Sequence, residues 1–213
     1  SSEVYIYFNR MTGTLTVNYL YGEDSNKNGT SAYEAETFEN VRFGETRRAE
    51  AIVIAGYKAE KNSSYSVTAI YDTNSGIVTG TTNVYYNPVS YTITYNTVAG
   101  ETFDNDIARK SYTIEDGFTF TEPTKTGYGF KGWAVSKVTE VGNATDVNYN
   151  ATGNWVVYEA ETAETTYTTI TAGKYGNITL YAVWGAEMND VITSGVVNIT
   201  FNGNLKAESG LQY

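Results

Sequence analysis

Two stretches, Gly127–Trp133 (G-Y-G-F-K-G-W) and Ile178–Trp184 (I-T-L-Y-A-V-W), decide how this 213-residue chain is read. The first sets three glycines among three aromatics. Gly127, Gly129 and Gly132 accept backbone angles that a Cβ forbids, and they let neighbouring chains approach closely. Tyr128, Phe130 and Trp133 are thereby free to gather on one packing surface. The second stretch alternates, with Ile178, Leu180, Ala182 and Trp184 on one face and Thr179, Tyr181 and Val183 on the other. That is a strand with one face more buried than the other. The expectation is that the two stretches pack together and close a small β module, with Tyr128, Phe130, Trp133, Leu180 and Trp184 as its structural core.

Composition extends this reading to the whole chain. There are 20 Tyr and 20 Gly but 2 Pro, and Thr and Val are plentiful. Tyr, Thr and Val favour strands, while Gly marks turns and bulges. Runs of helix formers are missing, so the expected class is mainly β, at most α+β. The length allows two modules of roughly 90–100 residues, each with a small core.

The chain has no Cys and no His. That removes disulfides, thiolate chemistry, the commonest general base and nearly all zinc sites. The net charge of −10 repels phosphate backbones, so nucleic acid and anionic membrane are not expected partners. No apolar run approaches the ~20 residues that span a bilayer. No signal peptide or anchoring sequence is evident, and the start at Ser1-Ser2-Glu3 reads as a cut from a longer protein.

In chain order, Val4–Phe8 (V-Y-I-Y-F) and Leu15–Leu20 (L-T-V-N-Y-L) read as two strands joined through Asn9–Gly13 as a hairpin. Tyr21–Thr30 is a polar loop. Its Asp24, Asn26, Asn28 and Gly29 match the opening of a calcium loop, but Ala35 stands where the bidentate acid belongs. Turn chemistry explains the same residues. Arg47–Ile54 is compatible with a short helix or a strand. Tyr65–Tyr71 alternates, and Asn83–Tyr86 leads to Pro88, the best boundary candidate. Beyond it, Tyr91–Tyr95, Ser111–Ile114 and Phe118–Phe120 are strand-like. Gly185–Asp190 reads as a linker, V-V-N-I-T-F as a strand, and Asn202-Gly203 as a hairpin turn.

Two family resemblances sit on these residues. L-T-V-N-Y-L, the N-G loop, F-G-E-T (Phe43–Thr46), I-A-G-Y-K (Ile54–Lys58) and N-V-Y-Y resemble the mucin-binding-protein type repeat of Gram-positive surface proteins, over about residues 14–87. The departures are an expanded loop after the first strand and Thr46 or Arg47 in place of an aromatic. Y-T-I-T-Y-N, then P-T-K-T-G-Y-G-F-K-G-W, then N-I-T-L-Y-A-V-W is similar to the Listeria–Bacteroides repeat, the internalin B-repeat type of module, over about residues 91–184. Pro123, Gly127, Tyr128, Phe130, Gly132, Trp133, Leu180, Tyr181, Ala182 and Trp184 carry that likeness. An insert, Val138–Thr171, is longer than the family's usual link.

These resemblances imply two tandem β-grasp (ubiquitin-like) modules: residues 1–88, residues 89–186, and a tail 187–213 that is a linker with a C-terminal strand or the start of a further repeat. They imply a non-catalytic part of a bacterial cell-surface, cell-wall or secreted protein, used for adhesion, spacing or ligand binding. Host or microbial glycans, surface proteins and neighbouring repeats of the same chain are its implied partners. No cofactor is expected. The alternatives are a carbohydrate-binding accessory module of a secreted enzyme and a calcium-stabilised stalk.

Candidate site residues follow from what the core leaves over. Trp155 and Tyr158, in the insert's W-V-V-Y, have no assigned core role and are the candidate sugar-stacking pair. Asp104 with Asp106, and Glu159 with Glu161, are acid pairs of the kind glycosidases use, but solvated loop acids are the commoner case. Lys131 is the candidate for a Lys–Asn isopeptide link, against the simpler reading of an exposed lysine. Asp24, Asn26 and Asn28 are the weak metal candidates. The N-x-S/T triplets follow from the abundance of Asn and Thr.

Overall fold

The structure, a computed structural model, describes residues 3–6, 8–60, 64–139, 153–157, 165–186, 189–193 and 196–200. Every regular element among them is a strand. The chain forms two compact units. Unit 1 takes the described residues up to Ser90 together with Thr113–Glu115, and unit 2 takes Tyr91–Tyr112 and the described residues from Asp116 onward outside those of unit 1.

Unit 1 contains β1 (Thr12–Tyr21), β2 (Ser31–Arg42), β3 (Thr46–Ala49), β4 (Tyr57–Ala59), β5 (Tyr65–Thr68), β6 (Ile70–Asp72) and β7 (Ile77–Pro88). The main sheet runs β2-β1-β7-β4, with β6 also on β7, and β3 pairs with β5 separately. Alternation explains β1: Leu15, Val17 and Tyr19 are buried, while the residues between them are not. Val78, Val84 and Tyr86 of β7 supply the matching buried face, joined by Val41, Tyr57, Tyr65 and Val67. Gly80 lies within this packing for a steric reason. A Cβ there would stand 2.5 Å from the Thr68 carbonyl oxygen and 2.9 Å from Leu15 Cδ2. At the sheet edge, β2 exposes Glu34, Glu36 and Glu39, charges that discourage pairing with another chain.

Sequence and structure part in several places here. The described residues of Val4–Phe8 form no strand and are exposed, and β1 pairs instead with β2 and, in parallel, with β7. Arg47–Ile54 resolves into the four-residue strand β3 followed by irregular chain. Tyr65–Tyr71 breaks at Ala69 into β5 and β6.

Unit 2 contains β8 (Tyr91–Asn96), β9 (Glu101–Thr102), β10 (Ser111–Tyr112), β11 (Phe118–Thr119), β12 (Thr124–Lys125), β13 (Tyr128–Thr139), β14 (Thr169–Ile170) and β15 (Asn177–Ala186), followed by β16 (Asn189–Thr193) and β17 (Val196–Thr200). Its sheet runs β10-β8-β15-β13-β12-β9. The two stretches that open the sequence reading are β13 and β15, and they pair antiparallel. A bulge between Phe130 and Gly132 places two residues of β13 against one step of β15. Gly132 makes it possible, with φ +134° and a Cβ position only 2.8 Å from Thr166. Because the bulge resets the alternation, Phe130 and Trp133 join one cluster, their rings 5.6 Å apart.

Within the expected linker Gly185–Asp190, Gly185 and Ala186 end β15 and Asn189 and Asp190 begin β16. The hairpin signal Asn202-Gly203 lies outside the described residues, and the hairpin that forms is β16 with β17.

Candidate ligand-binding groove

Of the five expected core residues of unit 2, Trp133 and Leu180 are fully buried. Trp133 donates its Nε1–H to the Thr121 carbonyl at 3.0 Å and meets Tyr95, Phe103 and Phe130 edge-on. Phe130 is half-buried between Trp133 and Trp184. Trp184 is also half-buried, its indole N–H held by Glu101 at 2.6 Å. Tyr128 departs from the expectation: it is 40% exposed, with the Lys125 ammonium 4.7 Å from its ring centre. It lies beyond the bulge, near the strand's start, where the sheet no longer covers it.

Trp155 reverses its expected role. It is buried at 7% exposure, and its Nε1–H donates to the Tyr112 hydroxyl at 2.7 Å. Tyr167 lies edge-on at 4.9 Å, and the Lys174 ammonium sits 5.1 Å from the indole. No face is left for a sugar ring to stack on. Trp155 is therefore a core residue that the sequence reading took for a surface platform. Its partner in that reading, Tyr158, lies outside the described residues, as do Glu159 and Glu161. Asp104 serves its own turn, accepting from the backbone N–H groups of Asp106 and Ile107. Lys131 is exposed, which leaves it without the buried setting an isopeptide link needs.

The calcium-like loop of unit 1 receives a carboxylate instead. Glu115 accepts from the Ser25 hydroxyl at 2.5 Å, the Asn26 backbone N–H at 2.8 Å and the Tyr57 hydroxyl at 3.0 Å. Lys27 donates to the same Tyr57 hydroxyl and stands over the Tyr21 and Tyr57 rings. Burial raises the pKa of Glu115, but the bonds from Ser25, Asn26 and Tyr57 and the charge of Lys27 outweigh it, for a net lowering. A loop that aims N–H and O–H donors inward suits an anion, and a cation would meet the wrong end of each dipole. Asp24 turns its backbone N–H to Asn87. Among the described residues, no group of three or more acidic side chains is placed to hold a metal.

What unit 1 does offer is a groove. Met11, Phe43, Tyr71 and Val78 line an apolar cavity of about 320 Å³. Met11, Phe43 and Tyr71 are each about half exposed. Backbone pairing builds this rim: Phe43 N–H donates to Met11 O, and Tyr71 pairs with Val78. The residues just before Met11 and Phe43 are Arg10 and Arg42. With Asn9 they line an adjoining polar cleft of about 490 Å³. Both arginines are exposed, and neither forms an ion pair among the described residues. Apolar surface bordered by two free guanidinium groups complements an apolar side chain next to a carboxylate.

The sequence reading missed this groove. Its only trace was a set of large apolar residues beside turns, at M-T-G, F-G-E and A-I-Y-D, out of phase with the alternation of the strands.

Compared with protein-family models, curated proteins and solved structures, the chain finds no match.

Proposed function

We propose that the chain is a non-catalytic pair of β-grasp-type modules from a bacterial cell-surface or secreted protein, serving as an adhesion, spacer or ligand-binding repeat. The observation that carries this reading is a topology found twice. In unit 1 the first strand β1 and the last strand β7 run parallel at the centre, flanked by antiparallel β2 and β4. In unit 2, β8 and β15 run parallel, flanked by antiparallel β10 and β13. The residues that resemble the Listeria–Bacteroides repeat fall on β8, β12, β13 and β15 of unit 2. Of the residues that resemble the mucin-binding type repeat, L-T-V-N-Y-L falls on β1, Tyr57 and Lys58 on β4 and N-V-Y-Y on β7, while the N-G loop, Phe43 and Gly44 lie in turns.

The groove of unit 1 is the contact face in this reading. Its occupant is an acidic protein segment that places an apolar side chain against Phe43 and a carboxylate against Arg10 and Arg42. Beads carrying the whole chain, presented to surfaces coated with acidic aromatic peptides or with mucin-type glycans, test this. Retention on the peptide surface, lost on Phe43→Ala combined with Arg42→Ala at unchanged melting temperature, is the expected result. Retention only on glycans, or retention indifferent to both substitutions, would count against the groove.

A further inference from the structure

We infer that each unit is built to bear tension along the chain, and that unit 2 yields before unit 1. The inference stands on strand topology alone and is independent of what the groove binds. In unit 1 the strands that receive a pull on the chain are neighbours. Force arrives at the Thr12 end of β1 and leaves at the Pro88 end of β7. Because β1 and β7 are parallel, those two points lie at opposite ends of one seam. Stretching the chain therefore slides the strands past each other, and every hydrogen bond of the seam is strained at once. An antiparallel pair of terminal strands would be loaded at one end and open one bond at a time.

The seam of unit 1 is long and reinforced. Nine residue pairs run from Gly13↔Val78 to Tyr21↔Tyr86 without a register shift. Gly22 N–H extends it by donating to Tyr86 O. Asn18 Nδ2 donates to Asn83 Oδ1 at 3.0 Å, and Asn83 Nδ2 donates onward to the Tyr85 hydroxyl at 3.0 Å. These side-chain bonds cross or brace the same interface and share its load. The buried faces of β1 and β7 keep water from replacing the bonds as they lengthen.

Unit 2 repeats the geometry with a shorter seam. Its β8 and β15 are parallel over four pairs, Ile93↔Ile178 to Asn96↔Tyr181. The Thr92 N–H, donating to Asn177 Oδ1 at 2.7 Å, adds to them. Fewer bonds loaded together fail at a lower force, which sets the order of yielding.

Single-molecule stretching of the whole chain between handles at its termini tests this. Two steps are expected, and length tells them apart. The 77 residues of Thr12–Pro88 extend to about 270 Å, and the 96 residues of Tyr91–Ala186 to about 340 Å once the side-chain bonds of Glu115 to Ser25, Asn26 and Tyr57 have let go, less the folded span. The longer step is expected first, at the lower force. The control changes only the direction of pull. Asn74 lies in the exposed turn before β7, and the chain has no cysteine of its own. An Asn74→Cys attachment paired with an amino-terminal handle loads β1 and β7 from the same end. Unit 1 is then expected to open at a several-fold lower force, with an unchanged urea midpoint. Equal forces in both directions, or the shorter step preceding the longer one, would overturn the inference.

Discussion

Inside unit 2 the Trp155 indole donates to the Tyr112 hydroxyl across 2.7 Å, and that hydroxyl in turn donates to the Gly176 carbonyl. Both side chains are buried, at 7% and 1% exposure. The chain of bonds ties the described part of the insert to β10 and to the turn before β15. Trp155→Ala should therefore destabilise unit 2 by about 3–5 kcal/mol, through lost burial and an unfilled cavity. Trp155→Phe keeps most of the volume but leaves the Tyr112 oxygen without its donor, at a cost of about 1–3 kcal/mol. Urea unfolding followed by fluorescence measures both. A near-neutral Trp155→Ala would contradict the buried placement.

Alkaline pH should unfold the protein through its tyrosines. Burial pushes Tyr95 up to about 12, and burial first, with the hydrogen bond to Glu36 or Glu115 second, raises Tyr19 and Tyr57 further. A raised folded pKa means that the folded state holds its proton while the unfolded phenol, near pH 10, releases its own. The contribution is thus fully present below pH ~10 and is lost as pH rises through the folded value. Melting temperature should fall steeply above pH ~10, with tyrosinate absorbance appearing together with unfolding. Smooth titration of all tyrosines before unfolding would refute this.

The acid limb has the opposite sign. Glu115 is depressed below its ordinary value of 4.5, so its contribution is present above that value and is lost as pH falls through the folded pKa. Asp72, lowered first by the Ser75 hydroxyl and then by the Asn74 N–H, adds to the same limb from an exposed turn. Glu115→Gln should lower the melting temperature at neutral pH and flatten its decline below pH 4.5. Because the 22–30 loop is occupied by this carboxylate, calcium and EDTA should leave the melting temperature alike. A clear calcium shift would restore Asp24, Asn26 and Asn28 as ligands.

Gly80 gives a steric test of unit 1. Gly80→Ala sets a methyl against the Thr68 carbonyl and Leu15, contacts that real Cβ atoms do not tolerate. Relief requires β5 or β1 to shift, and an overpacked core of this kind costs about 1–3 kcal/mol. The urea midpoint of unit 1 should drop while that of unit 2 holds. No change in either would mean that β5 and β7 stand further apart.

The β class, the pairing of Gly127–Trp133 with Ile178–Trp184 and the buried role of Trp133 were legible in the sequence. Alternation and glycine placement are local properties, and they act on the residues that display them. Tyr128 was misplaced for a reason local to the strand. It shares the face of Phe130 but is the first residue of β13, and at that end of the strand its ring stays 40% exposed beside Lys125. Trp155 was misplaced because nothing near it in sequence reports Tyr112, 43 positions away. Glu115 likewise reaches Ser25 across 90 positions, which turned an apparent cation loop into a carboxylate receptor.

By itself, the sequence determined the β class and those strands whose burial alternates, such as β1, β8 and β15, because period-two burial is written residue by residue. Only the tertiary structure decided which strands lie side by side. The parallel seams of β1 with β7 and of β8 with β15 join residues more than 60 positions apart. The groove at Met11, Phe43 and Tyr71 likewise exists only because the Phe43–Met11 backbone bond and the pairing of β6 with β7 bring separate segments together. Contacts of that range depend on how the whole chain closes, and no local pattern encodes them.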